Sequence, residues 1–599
     1  MDRLQQHEQP EIRRARVDDL DDLMALVQSA YRGDASRSGW TTEADLIDGS
    51  RIDAPTMRAT LVDPRVVVLV VDDEHGRPIA CCELRRDVGG GAVTTFGMFA
   101  VDPDLQGAGL GGHLLRAAER TARDEWAADR LRLTVIDRRQ ELIEWYGRRG
   151  YVATGEHQPF PYGDERFGSP RVDDLRFAVL ERDLSGAATN GRGRGRPFDL
   201  VVHGATSFVG QILCRYLVAE HGTHGPIRWA ISGRNVDKLG DVAAATGAEV
   251  ERIVADSHDP AALEELCAAT TVVVSTVGPY ARYGSELVAA AVRNGTDYLD
   301  LTGETQWMRR MIDAHHDEAV VSGARVVHAC GFDSIPSDLG VWFTQQQSIA
   351  RHGEPCDHIS MRVDDLRGGA SGGTVASMLH LVEEAAHDPV LRRLLADPYA
   401  LNPPDRRSGP RQPEVRRPTL DPESPGRWLA PFVMAAVNTR VVQRSHALLD
   451  RPWGDGFRYD EAMDMGRGPL GAAKAGAVSA GLAGVLGLAA LGPSRKLLER
   501  TVLPSPGDGP TPAAQARGRF SLRFVGHTPS GSTITSRVTG DRDPGYGATA
   551  RMLGEAAAAM VDLDPADTGG GFWTPATAFG DVLIERLEAR AGLRFEVLP

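Results

Sequence analysis

The sequence predicts an α/β protein built as two units in tandem, and three observations carry that prediction. Strand-like and helical periodicities alternate along most of the 599 residues. A run of small residues and arginines at 185–197, SGAATNGRGRGRP, interrupts the alternation and reads as a linker. Directly after it the buried-strand run FDLVVHG passes through a glycine-containing turn into a helical pattern, which is how a dinucleotide-binding βαβ unit begins. A chain of this length exceeds what one hydrophobic core supports.

Composition narrows the function classes. The net charge is −15 and no long block of like charge occurs, which argues against binding the phosphate backbone of nucleic acid. The six cysteines form no CxxC pair, so neither a disulfide framework nor a metal site is signalled, and a reducing cytoplasm fits. The charged start, MDRLQQHEQPEIRRARVDD, lacks the apolar core of a signal peptide.

In the first unit, strands are expected at 65–72, 79–85 and 93–101, and helices at 17–30, 111–126 and 141–149. Between the strand TTFGMFAV and the following helix lies Gln106-Gly107-Ala108-Gly109-Leu110-Gly111, where the lack of bulky Cβ groups lets backbone N–H groups at a helix start approach an anion. With the preceding Val-Asp-Pro and the later LIEWYGRRGY, this Q-x-x-G-x-G spacing resembles the GNAT superfamily of N-acetyltransferases over residues 12–184. The resemblance implies that Gln106, Gly107, Ala108, Gly109 and Gly111 hold the pyrophosphate of acetyl-CoA. It also implies that the strand Met98, Phe99 to Val101 pairs with the pantetheine arm, and that Tyr146 protonates the leaving thiolate. An attacking ammonium must lose a proton, and Glu83 is the carboxylate candidate, with a solvated strand residue as its alternative. The acceptor is expected to be a small-molecule amine met by residues 39–53.

In the second unit, Gly204-Ala205-Thr206-Ser207-Phe208-Val209-Gly210 departs from G-x-G-x-x-G by placing Ser207 at the middle position, where a small hydroxyl can still donate to a phosphate. The second strand ends in Ser232-Gly233-Arg234-Asn235. An arginine there, in place of an acidic residue, pairs with a ribose 2′-phosphate, so NADP(H) is the expected cofactor. Thr276, Gly278 and Pro279 follow another buried strand at the ligand-binding edge. With YLDLTGE, CGFDSIPSDLG, GGASGGTVASM, DPGYGATARML and GGFWTPATAFGD, the set resembles the saccharopine dehydrogenase-like oxidoreductases, and within them the trans-acting enoyl reductases, over residues 198–599. Hydride transfer from NADPH to a small or lipid-linked substrate follows from that resemblance. The proton donor stays open among Tyr280, Tyr283 and a water on Asp300 or Asp333, and Asp333 reads as a helix cap.

The expected architecture is therefore a GNAT-like α/β domain (1–184), a linker (185–197), a Rossmann NADP-binding domain (198–335) and an α+β substrate domain (336–599). Residues 402–426, rich in Pro and Arg, should be an exposed loop. Residues 475–492 are 18 without a charge; their glycine and alanine content favours a buried or interfacial soluble helix over membrane insertion, with Gly481, Gly484 and Gly487 suited to close helix contact. Peripheral membrane contact and a homodimer are the partner expectations. The rival functional reading is a cofactor-sensing protein with one or both sites inert; saccharopine dehydrogenase activity proper ranks third, because fold does not fix substrate.

Overall fold

The structure, a computed structural model, describes residues 12–32, 36, 43, 46–49, 51–73, 75–86, 93–106, 110–126, 128–147, 149, 151–163, 169–184, 196–368, 381, 384–385, 388–489 and 509–599. The chain divides into two compact units, Met1–Asn190 and Gly191–Pro599. Both are α/β.

Among the described residues, the first unit is organised on a seven-stranded sheet ordered Ile12–Arg14, Val66–Asp72, Pro78–Arg86, Val93–Val101, Arg130–Ile136, Arg176–Asp183, Val152–Pro159. The β-branched run VVVLVVD makes the second of these strands, with both faces packed at its centre. The helices Leu20–Tyr31 and Leu110–Arg120 lay apolar stripes on the sheet: Leu23, Leu26 and Val27 from one, Leu114, Leu115 and Ala118 from the other. The expected helix over 111–126 is regular only to Arg120 and then widens into a π turn, Thr121–Glu125.

The second unit opens with a parallel sheet ordered Glu251–Val254, Trp229–Gly233, Phe198–His203, Thr270–Ser275, Asp297–Asp300, Arg325–Val327, Gly571–Trp573. Strand order reverses on either side of Phe198–His203, so a crevice opens at the carboxyl ends of Phe198–His203 and Thr270–Ser275. The last strand corrects the expected division at residue 335. Arg325–Val327 pairs with Gly571–Trp573 from the far end of the chain, and the helix Thr549–Asp562 packs on Phe208–His221 through Glu555, which accepts from the Tyr216 hydroxyl at 2.9 Å.

The remaining residues build a second, mixed sheet ordered Thr419–Leu420, Arg427–Pro431, Arg458–Arg467, His358–Arg367, Arg519–His527, Thr533–Gly540, Leu593–Val597. The helix Ile335–His352 runs from the crevice onto this sheet, close enough at Gly340 that a Cβ there would stand 2.2 Å from the Phe524 ring. The expectation of an exposed loop over 402–426 holds only in part. Thr419 and Leu420 pair with Leu429 and Trp428, while Asp421 is buried against Arg362 (3.1 Å), whose other partner is Asp460 (2.7 Å). A charged pair taken out of water needs such added partners.

The apolar segment forms most of the helix Gly468–Ala489; residues 490–492 of the expected stretch lie outside the described residues. A buried or interfacial helix was expected; one face is buried or half-buried at Ala475, Val478, Ser479, Leu482 and Val485, while Ala477, Ala480, Gly481, Ala483, Gly484 and Gly487 on the other are exposed. Side chains placed at Gly481, Gly484 and Gly487 would meet nothing within 4 Å, so among the described residues these glycines make no close helix contact. Among the described residues no helix is long and apolar enough to cross a membrane.

Candidate functional sites

In the first unit, Val93–Val101 and Arg130–Ile136 run parallel but pair only at Val93–Thr95, after which they part. The cause lies on the other edge of Val93–Val101. Pairing with Pro78–Arg86 slips between Cys81 and Glu83, and Met98 takes a φ of 43°, a β-bulge that turns the strand away from its parallel neighbour. The strand portion Met98–Val101 thus borders a cleft in the sheet.

Gln106 donates from Nε2 to the Val101 carbonyl (3.1 Å), tying the following turn to the end of the strand. A Cβ on Gly111 would stand 3.2 Å from the Phe99 ring, which fixes how closely the helix start approaches. Gly107, Ala108 and Gly109 lie outside the described residues.

Tyr146, on the helix Gln140–Gly147, is buried, with its ring 6.4 Å from Phe99, 5.0 Å from Trp145 and 5.4 Å from Tyr151. Burial pushes its phenol well above the ordinary value, so it stays protonated and able to donate. Tyr31 was missed by the sequence reading: its hydroxyl donates to the Phe99 carbonyl at 2.5 Å, and Arg51 lies over its ring. An aromatic in the last turn of an amphipathic helix gives no signal for such a role. Glu83 is held by Arg85, two residues along its own strand, at 2.7 Å.

In the second unit, the turn after Phe198–His203 is shaped for close approach. Gly204 has φ +85°, and a Cβ there would lie 2.5 Å from Val277. A Cβ on Gly210 would lie 2.4 Å from the Gly204 carbonyl oxygen, so glycine is what lets the helix Phe208–His221 start against the strand.

Ser207, expected as a phosphate donor, is engaged within the turn. Its Oγ caps the helix by accepting from Gly210 N (2.9 Å) and lies 3.0 Å from Thr276 Oγ1, which itself donates to the Gly204 carbonyl (2.9 Å). Thr276 Oγ1 donates to a backbone carbonyl, so in this arrangement the Ser207 hydroxyl donates to Thr276. The serine instead seals the turn to the next strand. Phe208 packs edge-on against Tyr546 (4.9 Å), Val209 joins the core, and the Thr206 carbonyl accepts from Gln211 (3.3 Å).

Beyond the second strand, Ser232 is buried against His203 (3.2 Å), and a Cβ on Gly233 would lie 3.8 Å from Thr206. Burial lowers the His203 imidazole to about 4, so it is neutral. Asn235 caps the helix Val236–Thr246 by accepting from Lys238 N. Arg234 is exposed and forms no ion pair among the described residues. A close-approach turn with an unpaired guanidinium past the second strand fits a dinucleotide carrying a 2′-phosphate.

At the crevice edge, Gly278 precedes a cis Pro279, and both oxygens of Glu304 accept from the next two amides, Tyr280 N (2.8 Å) and Ala281 N (2.9 Å). The Tyr280 hydroxyl is committed: it donates to the Ser275 carbonyl (3.0 Å) and accepts from Leu301 N (3.2 Å). Asp300 is committed too, to Thr302 N, Ala329 N and His328.

Three carboxyls of this unit are pushed up to about 7, chiefly by burial: Asp333, Asp338 and Glu461. Asp338 accepts from Ser445 (2.5 Å) and Ala576 N (2.8 Å), and Glu461 from Tyr459 (2.7 Å) and Asn438 (3.0 Å). The Asp333 carboxyl accepts from its own backbone amide, and among the described residues no other hydrogen bond or ion pair to it is found. It is not the helix cap expected of it: Ser334 occupies the cap position of Ile335–His352, with no side-chain cap bond. Its charge helps raise the Tyr280 phenol, and the Asp300 charge helps raise its own carboxyl, so it lies near these two groups at the crevice edge.

A parallel sheet whose strand order reverses beside a close-approach glycine turn is the architecture of a Rossmann-type dinucleotide-binding fold. Comparison with known proteins sharpens this. Residues 200–327 match the family model "Saccharopine dehydrogenase NADP binding domain", and residues 22–151 match "Acetyltransferase (GNAT) family". A Mycobacterium tuberculosis relative is 42% identical over 406 residues, 66% of this chain and 96% of the relative. A trans-acting enoyl reductase of Mycobacterium bovis is 40% identical over 408 residues, 65% of this chain and 96% of its own length. Yeast saccharopine dehydrogenase (L-Glu forming) aligns at 14% identity and a TM-score of 0.39, over 67% of this chain and 100% of that one. The chain belongs to the trans-acting enoyl reductase family of saccharopine dehydrogenase-like proteins, with a GNAT domain preceding it.

The turn gives a direct test. Gly210→Ala puts a methyl against backbone that cannot yield, so unfolding stability should fall by about 1–3 kcal/mol and NADPH affinity should fall with it. Urea unfolding with and without NADPH measures both; an unchanged midpoint would mean that the helix start tolerates a wider turn.

Proposed function

We propose that the second unit reduces a carbon–carbon double bond conjugated to a carbonyl, using NADPH, and that the first transfers an acetyl group from acetyl-CoA to a small-molecule amine. The observation that carries the reductase reading is Asp333, the uncommitted acid at the crevice, in a chain whose relatives are named for enoyl reduction. NADPH, when bound, supplies the hydride. Gly204 and Gly210 keep the turn open to the pyrophosphate, and Arg234 pairs with the 2′-phosphate. Asp333, protonated below about 7, gives its proton to the α-carbon as the double bond is reduced, and is reprotonated from solvent.

In the first unit, the cleft bordered by Met98–Val101 takes the pantetheine arm. Tyr146 protonates the departing thiolate; Glu83, paired with Arg85, is the proposed acceptor of the ammonium proton. The test of the reductase reading is NADPH oxidation by the full chain. Loss of reduced nicotinamide with an α,β-unsaturated acyl thioester supports it. Loss only with an oxo acid and an amine together would support saccharopine-type chemistry instead.

A further inference from the structure

We propose that His328 is a positioning residue of the second unit: with one water bound at Nε2 and Asp300 held at Nδ1, it fixes the two loops at the crevice edge and so the place from which Asp333 gives its proton. The last step rests on the reductase reading above. The anchoring itself does not.

The strands Asp297–Asp300 and Arg325–Val327 are parallel neighbours, and Asp300 at the end of one bonds to His328 just past the end of the other. Asp300 is fully buried, and its carboxylate gathers three donors. Oδ1 accepts from Thr302 N (3.0 Å) and Ala329 N (3.1 Å), and Oδ2 accepts from His328 Nδ1 (2.7 Å). Thr302 opens the loop that carries Glu304, which in turn grips Tyr280 N and Ala281 N. Ala329 opens the loop that carries Asp333. One carboxylate therefore anchors both loops, and of its three donors the imidazole alone is a side chain. A buried carboxylate keeps its place only when such donors meet it.

Ala329 shows why the anchor is needed. Its φ is +59°, in the left-handed region that a Cβ disfavours, so the turn out of Arg325–Val327 keeps its shape only while neighbours hold it. Those bonds come from Asp300: the carboxylate takes Ala329 N, and the main-chain carbonyl takes Cys330 N (2.7 Å). Asp333 follows on the same loop, near enough that the Asp300 charge adds to burial in raising its carboxyl.

The imidazole is itself boxed in. It is 5% exposed, with its ring centroid 5.1 Å from that of Trp307, 5.7 Å from Phe572 and 6.0 Å from Tyr298. Nδ1 is spent on Asp300, and Nε2 has no partner among the described residues. A buried ring nitrogen left so is costly. His328 also lines a cavity of about 10 Å³, with Arg444 and Thr574 among its other walls. That is the space of a single water, and these residues have polar groups to share with one. With a water on Nε2 the ring has one satisfied orientation, the one that gives Nδ1 to Asp300.

Two amides separate the roles of the two nitrogens. His328→Asn keeps a donor where Nδ1 stands, whereas His328→Gln carries its amide out to where Nε2 stands and gives up the bond to Asp300. Neither side chain is larger than the imidazole. Hydrogen exchange of the full chain, read by mass spectrometry over 301–304 and 328–334, should quicken by about tenfold or more in the Gln variant and by less than about threefold in the Asn variant, as expected for one lost hydrogen bond to a charged group. Enoyl turnover should fall by about tenfold or more in the Gln variant alone, with the KM for NADPH unchanged in both. A crystal structure of the full chain should show an ordered water on Nε2. Unchanged exchange in the Gln variant, equal exchange in the two variants, or Nε2 without a water overturns the proposal whether or not wild type reduces an enoyl substrate. Quickened exchange with turnover equal to wild type breaks the link to Asp333 and overturns it as well. Wild type without any enoyl reduction fails the reductase reading, and the exchange arm still decides the anchoring.

Discussion

Asp333→Asn should lower the turnover of enoyl reduction by about 10²–10⁴-fold and leave NADPH affinity unchanged. The asparagine keeps the shape and polarity of the side chain but has no acidic proton to give. The pH dependence follows from the same group. Burial raises its pKa to about 7, so the donating form predominates below that value, and the wild-type rate should fall as pH rises through about 7. The variant's residual rate should lack that limb. A reduced rate that kept the same pH profile would assign the titration to another group, and a loss of less than about threefold would remove Asp333 from the chemistry.

Tyr146→Phe in the first unit should lower acetyl transfer by about 10²-fold or more with acetyl-CoA affinity retained. Phenylalanine preserves the ring contacts with Phe99, Trp145 and Tyr151, so the change isolates the hydroxyl. The phenol is buried and held protonated, which suits a donor to a leaving thiolate and excludes a base. Thiol release from acetyl-CoA across a panel of primary amines, with calorimetry of acetyl-CoA binding, reads both arms. Equal thiol release by the two proteins would leave Tyr146 a packing residue.

Much of this architecture is legible in the sequence because it is local. The valine runs at 66–72 and 270–275 and the Gly204 and Gly210 positions each carry their structural reason within a few residues. What escapes is set by distant partners. The strand Gly571–Trp573 completes a sheet begun more than three hundred residues earlier, and three residues of GFW carry no periodicity to announce it. Ser207 sits where its type was expected, but the destination of its proton depends on Thr276, a neighbour only in space. Asp333 reads as a cap from its D-S-I-P setting; the helix begins one residue later, and burial by the surrounding fold makes the carboxyl an acid instead. Tyr31 is unremarkable until the bulge at Met98 brings the Phe99 carbonyl to it. The 475–492 segment reads as a buried or interfacial helix on composition, and only the fold shows which face is left exposed, the one carrying Ala477, Ala480, Gly481, Ala483, Gly484 and Gly487.

The central claim, that the second unit is built for NADPH, is tested most directly by fluorescence titration of the full chain with NADPH and with NADH, repeated on Arg234→Ala. A guanidinium on a phosphate at an exposed site contributes about 1.5–3 kcal/mol of charge-assisted hydrogen bonding, or roughly ten- to a hundredfold in affinity. NADPH should bind at least about tenfold more tightly than NADH, and Arg234→Ala should remove most of that difference while leaving NADH binding unchanged. Equal affinities in the wild type, or a preference for NADPH that survives the substitution, would contradict the account.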